Sequence, residues 1–399
     1  MGMMRTIGTN SRTSRCFLYA SVLTLVTGSI LAQGVPRYHF DSTWPKELPH
    51  NWILGHVEGI AVDRQDHIWL VHDPRSVPAD DASAAQKPPT TFCCVAAPPV
   101  IELDRAGNVL NAWGGPELTP DWPTMVHGLW VDAEGNVWLA GAWDAEFNLP
   151  AWQRPPENAP WDRHVLKFSP AGKLLLEIGH PSKAPINNQD TMILGGPSSI
   201  QVDELAHEVF IADGYMNKRI VVYDSVTGAF KRGWGPYGVP LDQIDNKPLL
   251  AYDHNAPAFD PNGPAPKDFR GPLVGMRLSA DGLLYVSDRT NNRIQVFAKS
   301  GKFVQEFFVA KSTLGEGVPW AMAFSHDKAQ KYLFVGDGMG NVIWILDRKD
   351  GSVAGTLGHK GHNGGQFDKI DGLALDSDGN LYTGEVHYNN RVQRFNLAH

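Results

Sequence analysis

The chain has 399 residues, 42% of them hydrophobic and 20% charged, with a net charge of −8 at neutral pH. A charge of that sign, with no run of lysine and arginine interleaved with aromatics, excludes nucleic acid as the partner. The 40 glycines, 29 prolines and 13 tryptophans fit many turns and aromatic anchors on short strands rather than long helices.

Residues 1–32 read as a targeting segment. Arg5, Arg12 and Arg15 make a positive start, Phe17 to Leu31 carries no charge, and Ala32 is a small residue suited to cleavage. This pattern predicts a signal peptide, with a single retained anchor as the alternative, and hence export to the periplasm or the medium. No later stretch is long and apolar enough to span a bilayer, so no membrane span is expected after cleavage. Cys16 lies in the leader, leaving Cys93 and Cys94 in the mature chain. In an oxidising compartment these neighbours either form a vicinal disulfide or stay as thiols.

From residue 33 onward one pattern recurs six times: a strand of alternating hydrophobicity, an Asp/Gly-type turn, a second strand and a polar loop. It reads EGIAVDRQDHIWLVHD from Glu58, HGLWVDAEGNVWLAG from His127 and SSIQVDELAHEVFIADG from Ser198. It continues as VGMRLSADGLLYVSD from Val274, WAMAFSHDKAQKYLFVGDG from Trp320 and DGLALDSDGNLYTGE from Asp371. Turns of this kind between alternating runs are hairpin signals. Third strands follow as NKRIVVYD at Asn217, NNRIQVF at Asn291 and NNRVQRF at Asn389, with fourth strands such as GKFVQEFFV from Gly301. A four-stranded antiparallel unit cannot bury both faces alone, but six arranged radially can. The prediction is an all-β, six-bladed β-propeller over residues 33–399. The last unit is one strand short, so the segment near Arg37 to Asp41 is expected to close the ring and remove the open edge. The Asn-Asn-Arg-Ile signature resembles that of NHL-repeat propellers over essentially all of residues 50–399.

The long insertions fall at 75–97, 143–163 and 236–271. The first two follow second strands and the third joins a fourth strand to the next blade, so all three emerge on one face, around a mouth of the central tunnel. Long loops gathered on one face form a site or lid, unless they are plain surface decoration. The residues opening the inner strands should face the tunnel at the same end. Among them Glu58, His127 and Asp371 come from blades 1, 2 and 6, which are consecutive in a closed ring. Two carboxylates and one imidazole suit a divalent cation, zinc or calcium, with open positions for water or substrate. The bland alternative is that they hold ordered water. Around them the loops after second strands offer His72, Arg75, Tyr215, Arg289 and His387. A Tyr or His beside a metal can act as acid or base, and an Arg can hold a carboxylate or oxyanion.

GHVEGIAVD, MVHGLWVDAEGNVW and IADGYMNKRIVVYD resemble the corresponding stretches of peptidyl-α-hydroxyglycine α-amidating lyase. The resemblance implies cleavage of a carbinolamide into an amide and glyoxylate at a tunnel zinc held by three His, a Tyr and an Arg. Here His127 matches one zinc ligand, Tyr215 the Tyr and, loosely, Arg75 the Arg, whereas Val274 and Asp371 stand at the other two ligand positions. EGIAVD at Glu58 and IDGLALDSDGNLY around Asp371 are similar to the metal-binding strand starts of the gluconolactonase and senescence-marker family, which implies a divalent ion and lactone opening. The common denominator is a metal-dependent lyase or hydrolase acting on a small oxygenated, small-molecule or peptide-derived substrate. The rival expectation is a non-catalytic propeller that binds a protein or glycan through its loop-rich face.

Overall fold

The computed structural model describes residues 34–142, 160–247 and 259–398, together with residues 1–2 and 255. The expected leader therefore lies, but for its first two residues, outside the described residues, as does most of the second insertion. Residues Val35–His399 form one compact unit.

Six antiparallel four-stranded sheets make the six blades. Their inner strands are His56–Val62, Val126–Val131, Pro197–Asp203, Met276–Leu278, Pro319–Phe324 and Ile370–Leu375. Each inner strand contacts the next in chain order, and the sixth contacts the first, so the ring is closed. Closure has the expected agent. Tyr38–Phe40 pairs antiparallel with Val392–Leu397, placing Tyr38 opposite Leu397 and Phe40 opposite Phe395. Asp41 then holds the Arg394 guanidinium of the same blade.

The alternation read from the sequence becomes packing between blades. Trp69, Val71 and Val100 of blade 1 meet Leu129, Val137, Leu166 and Phe168 of blade 2 in one buried cluster. Burial of each such large apolar side chain stabilises by about 2–3 kcal/mol. The Asp turns tie these layers down. Asp63 accepts from Trp69 Nε1 at 2.9 Å, and Asp132 from Trp138 Nε1 at 3.1 Å.

The Asn-x-Arg-Ile signature also finds its physical reason. Arg219 pairs with Asp213, and Arg293 with Asp288, at 2.7 and 2.6 Å and with no exposure of either partner. Further donors of each Arg go to carbonyls of the preceding loop, Asn188, Asp190 and Ile193 for Arg219 and Pro266 and Asp268 for Arg293, which also donates to the Tyr237 hydroxyl and to Glu306. Asn217 and Asn291 donate to the same two aspartates. Arg391, Glu385 and Asn389 repeat the arrangement in blade 6. The signature is thus a clamp that fastens loops to the face on which they emerge.

Candidate functional site at the tunnel mouth

The loops at 74–99 and 114–124 come together on one face, where they enclose a groove of about 680 Å³ lined by Trp52, Arg75, Pro98, Glu117, Trp122 and Pro123. The third insertion reaches the same face. Arg270 N–H donates to Asp288, and Thr290 donates to Gly271 O, beside Arg289. Cys93 and Cys94 form a disulfide, and the residues after them, Val95–Ala96, pair in parallel with Trp52–Ile53.

The three expected ligands converge. Glu58, His127 and Asp371 each offer a ligand atom, and these atoms lie within 4.8 Å of one another. The means is a β-bulge at the head of each inner strand. The pairing skips one residue at Glu58, between Val57 and Gly59, and one at Asp371, between Ile370 and Gly372; at blade 2 it jumps from Val126 to Leu129, passing His127. A bulge leaves its extra residue out of the ladder and re-aims its side chain, here into the tunnel. The residue that follows must be small. A Cβ on Gly59 would stand 2.9 Å from Leu129 Cβ of the neighbouring blade, and one on Gly372 2.8 Å from Ile60 Cγ2. The cavity they surround is about 30 Å³, room for a single ion or a water or two.

The electrostatics of this cluster are unbalanced. His127 Nδ1 lies 2.9 Å from Ser198 O, so that nitrogen carries the proton and donates to the carbonyl. In the neutral ring Nε2 then turns its lone pair toward Asp371 Oδ2, 3.3 Å away. Glu58 is held well above the ordinary carboxylate range, first by burial, then by the charges of Asp371 and Asp73 and a hydrogen bond to Asp371, with Arg75 opposing. Three lone-pair-bearing groups aimed at one point suit a cation, and the donor set of two carboxylates and one imidazole fits a divalent one.

Around this centre the sequence-derived candidates separate. Tyr215 packs edge-on against His127, with ring centroids 5.2 Å apart. Burial, followed by the charge of Asp371, pushes its phenol well above the usual value, so it stays protonated. Arg289 stacks 4.4 Å from the ring centre of Trp320, is 3.8 Å from Glu316, and has a buried Nε with no hydrogen-bond partner. Arg75 reaches the mouth but forks onto Asp73, through Nε at 3.0 Å and Nη2 at 3.1 Å. His387 sits at the rim, about half exposed and 3.6 Å from Asp368. His72 is not brought to the centre. Its Nδ1 accepts from Gly55 N–H at 3.0 Å and its Nε2 lies 3.1 Å from Pro98 O, so both nitrogens serve the backbone and the ring is a strut, not an acid or base.

Sequence reasoning missed four residues. His56 stands 3.8 Å from Glu58, and its imidazolium is disfavoured by burial and by His387. Lys369 lies 3.2 Å from Glu316 and 4.8 Å from the Trp320 ring, so Trp320 is flanked by two cations and Glu316 links them. Trp320 had a signal, as the head of its inner strand; His56 lies on an inner strand two residues before Glu58, and Glu316 and Lys369 come from loops whose spacing carries no pattern.

Fold and site together define a six-bladed propeller with a carboxylate–imidazole centre at one tunnel mouth. The NHL repeat family model matches residues 273–297. Over 88% of its length the chain is 24% identical to peptidyl-glycine alpha-amidating monooxygenase B of Xenopus laevis, of which the match takes in 34%. Over 69% it is 25% identical to the peptidyl-glycine alpha-amidating monooxygenase of Mus musculus, of which the match takes in 24%. The chain is thus related in sequence to amidating enzymes and spans about a third or less of their length. A solved structure of streptogramin B lyase covers 91% of the chain and is itself covered to 97%, at 14% identity and a TM-score of 0.48.

Proposed function

We propose that the protein is an exported, metal-dependent lyase or hydrolase that acts on a small oxygenated substrate, small-molecule or peptide-derived, at the tunnel mouth, in the manner of an amidating lyase. The observation that carries this reading is the convergence of Glu58, His127 and Asp371 with their lone pairs facing one another. A divalent ion bound there, zinc or calcium, supplies Lewis acidity toward a substrate oxygen or a water. The chain's own groups do the rest. Tyr215, held protonated beside the centre, donates a proton or hydrogen bond to an oxygen that gains charge. Arg289 offers its unpartnered Nε to a substrate carboxylate, while Trp320 and Glu316 fix the guanidinium plane. Arg75 and His387 stand at the rim as substrate-contacting groups, and Asp73 orients the first of them. The surrounding loops exclude bulk water and strengthen the field at the centre.

Elemental analysis of mature protein purified without chelator tests this. The wild type should retain one divalent ion, and Glu58→Ala with Asp371→Ala should lose it while the far-ultraviolet circular dichroism is unchanged. A wild type that holds no ion, or a double variant that keeps it, overturns the enzyme reading. The Trp- and Pro-lined groove would then favour a non-catalytic module that binds a protein or glycan.

A further inference from the structure

Three residues beyond the mouth positions, the inner strands place a second ring of side chains: Ala61, Trp130, Gln201, Arg277, Ala323 and Ala374. Three of the six are alanines, and the space they leave takes the Arg277 guanidinium. It reaches across from blade 4 to Leu373 O of blade 6 at 3.0 Å, and bonds Met276 O at 2.8 Å. Two of the five N–H groups of a guanidinium are used in this way. Gln201 offers no counter-charge, since its amide is taken by Ile200 O and Leu278 N–H.

Unlike Arg219 and Arg293, Arg277 pairs with no carboxylate among the described residues. Burial alone pulls its pKa down to about 10, still far above neutrality, so the side chain is a desolvated cation without an anion. It forms the floor of a cavity of about 520 Å³. This cavity lies where the inner strands end, at Val62, Leu278, Phe324 and Leu375, whereas Glu58, His127 and Asp371 lie where they begin. Those four side chains and Trp130 make its walls apolar, and Lys328 and His326 stand among the lining. The acid in the lining is Asp327, and it is spent. Its Oδ1 accepts from Ala329 N–H at 3.0 Å, and its Oδ2 from Lys331 N–H at 3.1 Å and from the Ser325 hydroxyl.

We propose that this second cavity, at the tunnel end opposite the Glu58–His127–Asp371 centre, binds a small organic carboxylate with an apolar body, its carboxylate on Arg277 and its body against Trp130, Phe324 and Leu278. The planar guanidinium on the floor matches a planar carboxylate, and the apolar side chains of the walls match an apolar body. Arg277 stands between this cavity and the small one around Glu58, His127 and Asp371, lining both, and the inference does not depend on the chemistry proposed there.

Isothermal titration calorimetry of the mature protein with phenylacetate and its neutral isostere phenylacetamide tests the proposal. Phenylacetate should bind roughly tenfold or more tightly than the amide, as expected for a desolvated charge-assisted pair. Arg277→Met should abolish that preference, Arg277→Lys should keep part of it, and Ala280→Trp, which fills the cavity rim while leaving Arg277 in place, should also remove binding. Equal affinity for acid and amide in the wild type, no binding of phenylacetate at millimolar concentration, or unaltered binding by Arg277→Met overturns the proposal. The wild-type comparison of acid and amide stands even if a variant fails to fold.

Discussion

The outer ring of loop clamps and the head of the tunnel are built from the same materials, buried carboxylates, cations and imidazoles, and use them in opposite ways. In the clamps the carboxylates are met by donors. Asp213 receives Arg219, Asn217 and the Gly195 N–H, and Arg219 spends its other donors on three carbonyls. At the tunnel head two carboxylates and an imidazole lone pair face one another, and Glu58 is driven toward its neutral form. Among the buried histidines, His72 and His127 differ in the same sense. His72 satisfies both nitrogens on backbone groups, whereas His127 satisfies one and turns the other to the acids. Buried polarity that is fully partnered holds the fold; buried polarity left facing itself is held by the fold for something else.

The largest effect should come from breaking a clamp. Arg293→Ala leaves Asp288 buried without its cation and frees the carbonyls of Pro266 and Asp268, so a loss of about 3–5 kcal/mol is expected. Urea unfolding gives the number directly. Arg293→Lys should recover little, because one ammonium cannot serve an Asp and two separate carbonyls at once. A loss below about 1 kcal/mol would mean that the clamp is an ornament of the fold and that the contrast with the tunnel head is false.

A smaller effect belongs to the strut histidine. Burial pulls the His72 pKa down to about 4, outweighing its bond to Pro98 O and the charge of Asp73, while an unfolded chain restores it to about 6.5. A base whose folded pKa is depressed contributes stability that is present above the unfolded value and lost as pH falls from 6.5 toward 4. The full loss for this side chain is on the order of 3 kcal/mol, and about half of it should be visible near pH 5.5. His72→Asn keeps an acceptor for Gly55 N–H but does not titrate. Urea unfolding of wild type and variant at several pH values should therefore show a shallower acid loss in the variant. Parallel curves would return His72 to the list of groups free to exchange protons.

Much of this was legible in the residues. Alternation and Asp-Gly turns predict six hairpins, and the missing last strand predicts ring closure, because a sheet edge and a segment to cover it are both local features of the chain. The trio at the mouth was legible for a similar reason: Glu58-Gly59, His127-Gly128 and Asp371-Gly372 repeat one position in one motif. What the pattern hid was the bulge that aims them, visible only as a small residue after each. His72 lines the groove at the mouth, but its strand runs on to Asp73 and sets the imidazole between the backbone groups of Gly55 and Pro98, which no spacing in the sequence shows. Arg277 was invisible because nothing in VGMRLSADG says that the facing positions in three other blades are alanine. Glu316 and Lys369 pair directly beside Trp320, a contact between two loops that no spacing encodes.

The smallest effect is also the sharpest test of the contrast. In metal-free protein Glu58 and Asp371 oppose each other, and Glu58 is raised well above its ordinary value of 4.5, first by burial and then by Asp371. An acid whose folded pKa is raised contributes most below its unfolded pKa, and its contribution declines as pH rises from 4.5 through the folded value. Glu58→Gln removes that titration and offers Asp371 an amide donor in place of a second carboxylate. With chelator present, the variant should therefore equal or exceed the wild type in stability, by about 1 kcal/mol at most, with the gap widening from acid toward alkaline pH. Addition of zinc or calcium should reverse the order, since only the wild type offers both carboxylates to the ion and gains stability by binding it. Urea titrations with and without the ion measure both terms on one pair of proteins. If Glu58→Gln is instead destabilised in chelator as Arg293→Ala is, the centre is a clamp like the others, its lone pairs are satisfied by protons alone, and the distinction between the two regions collapses.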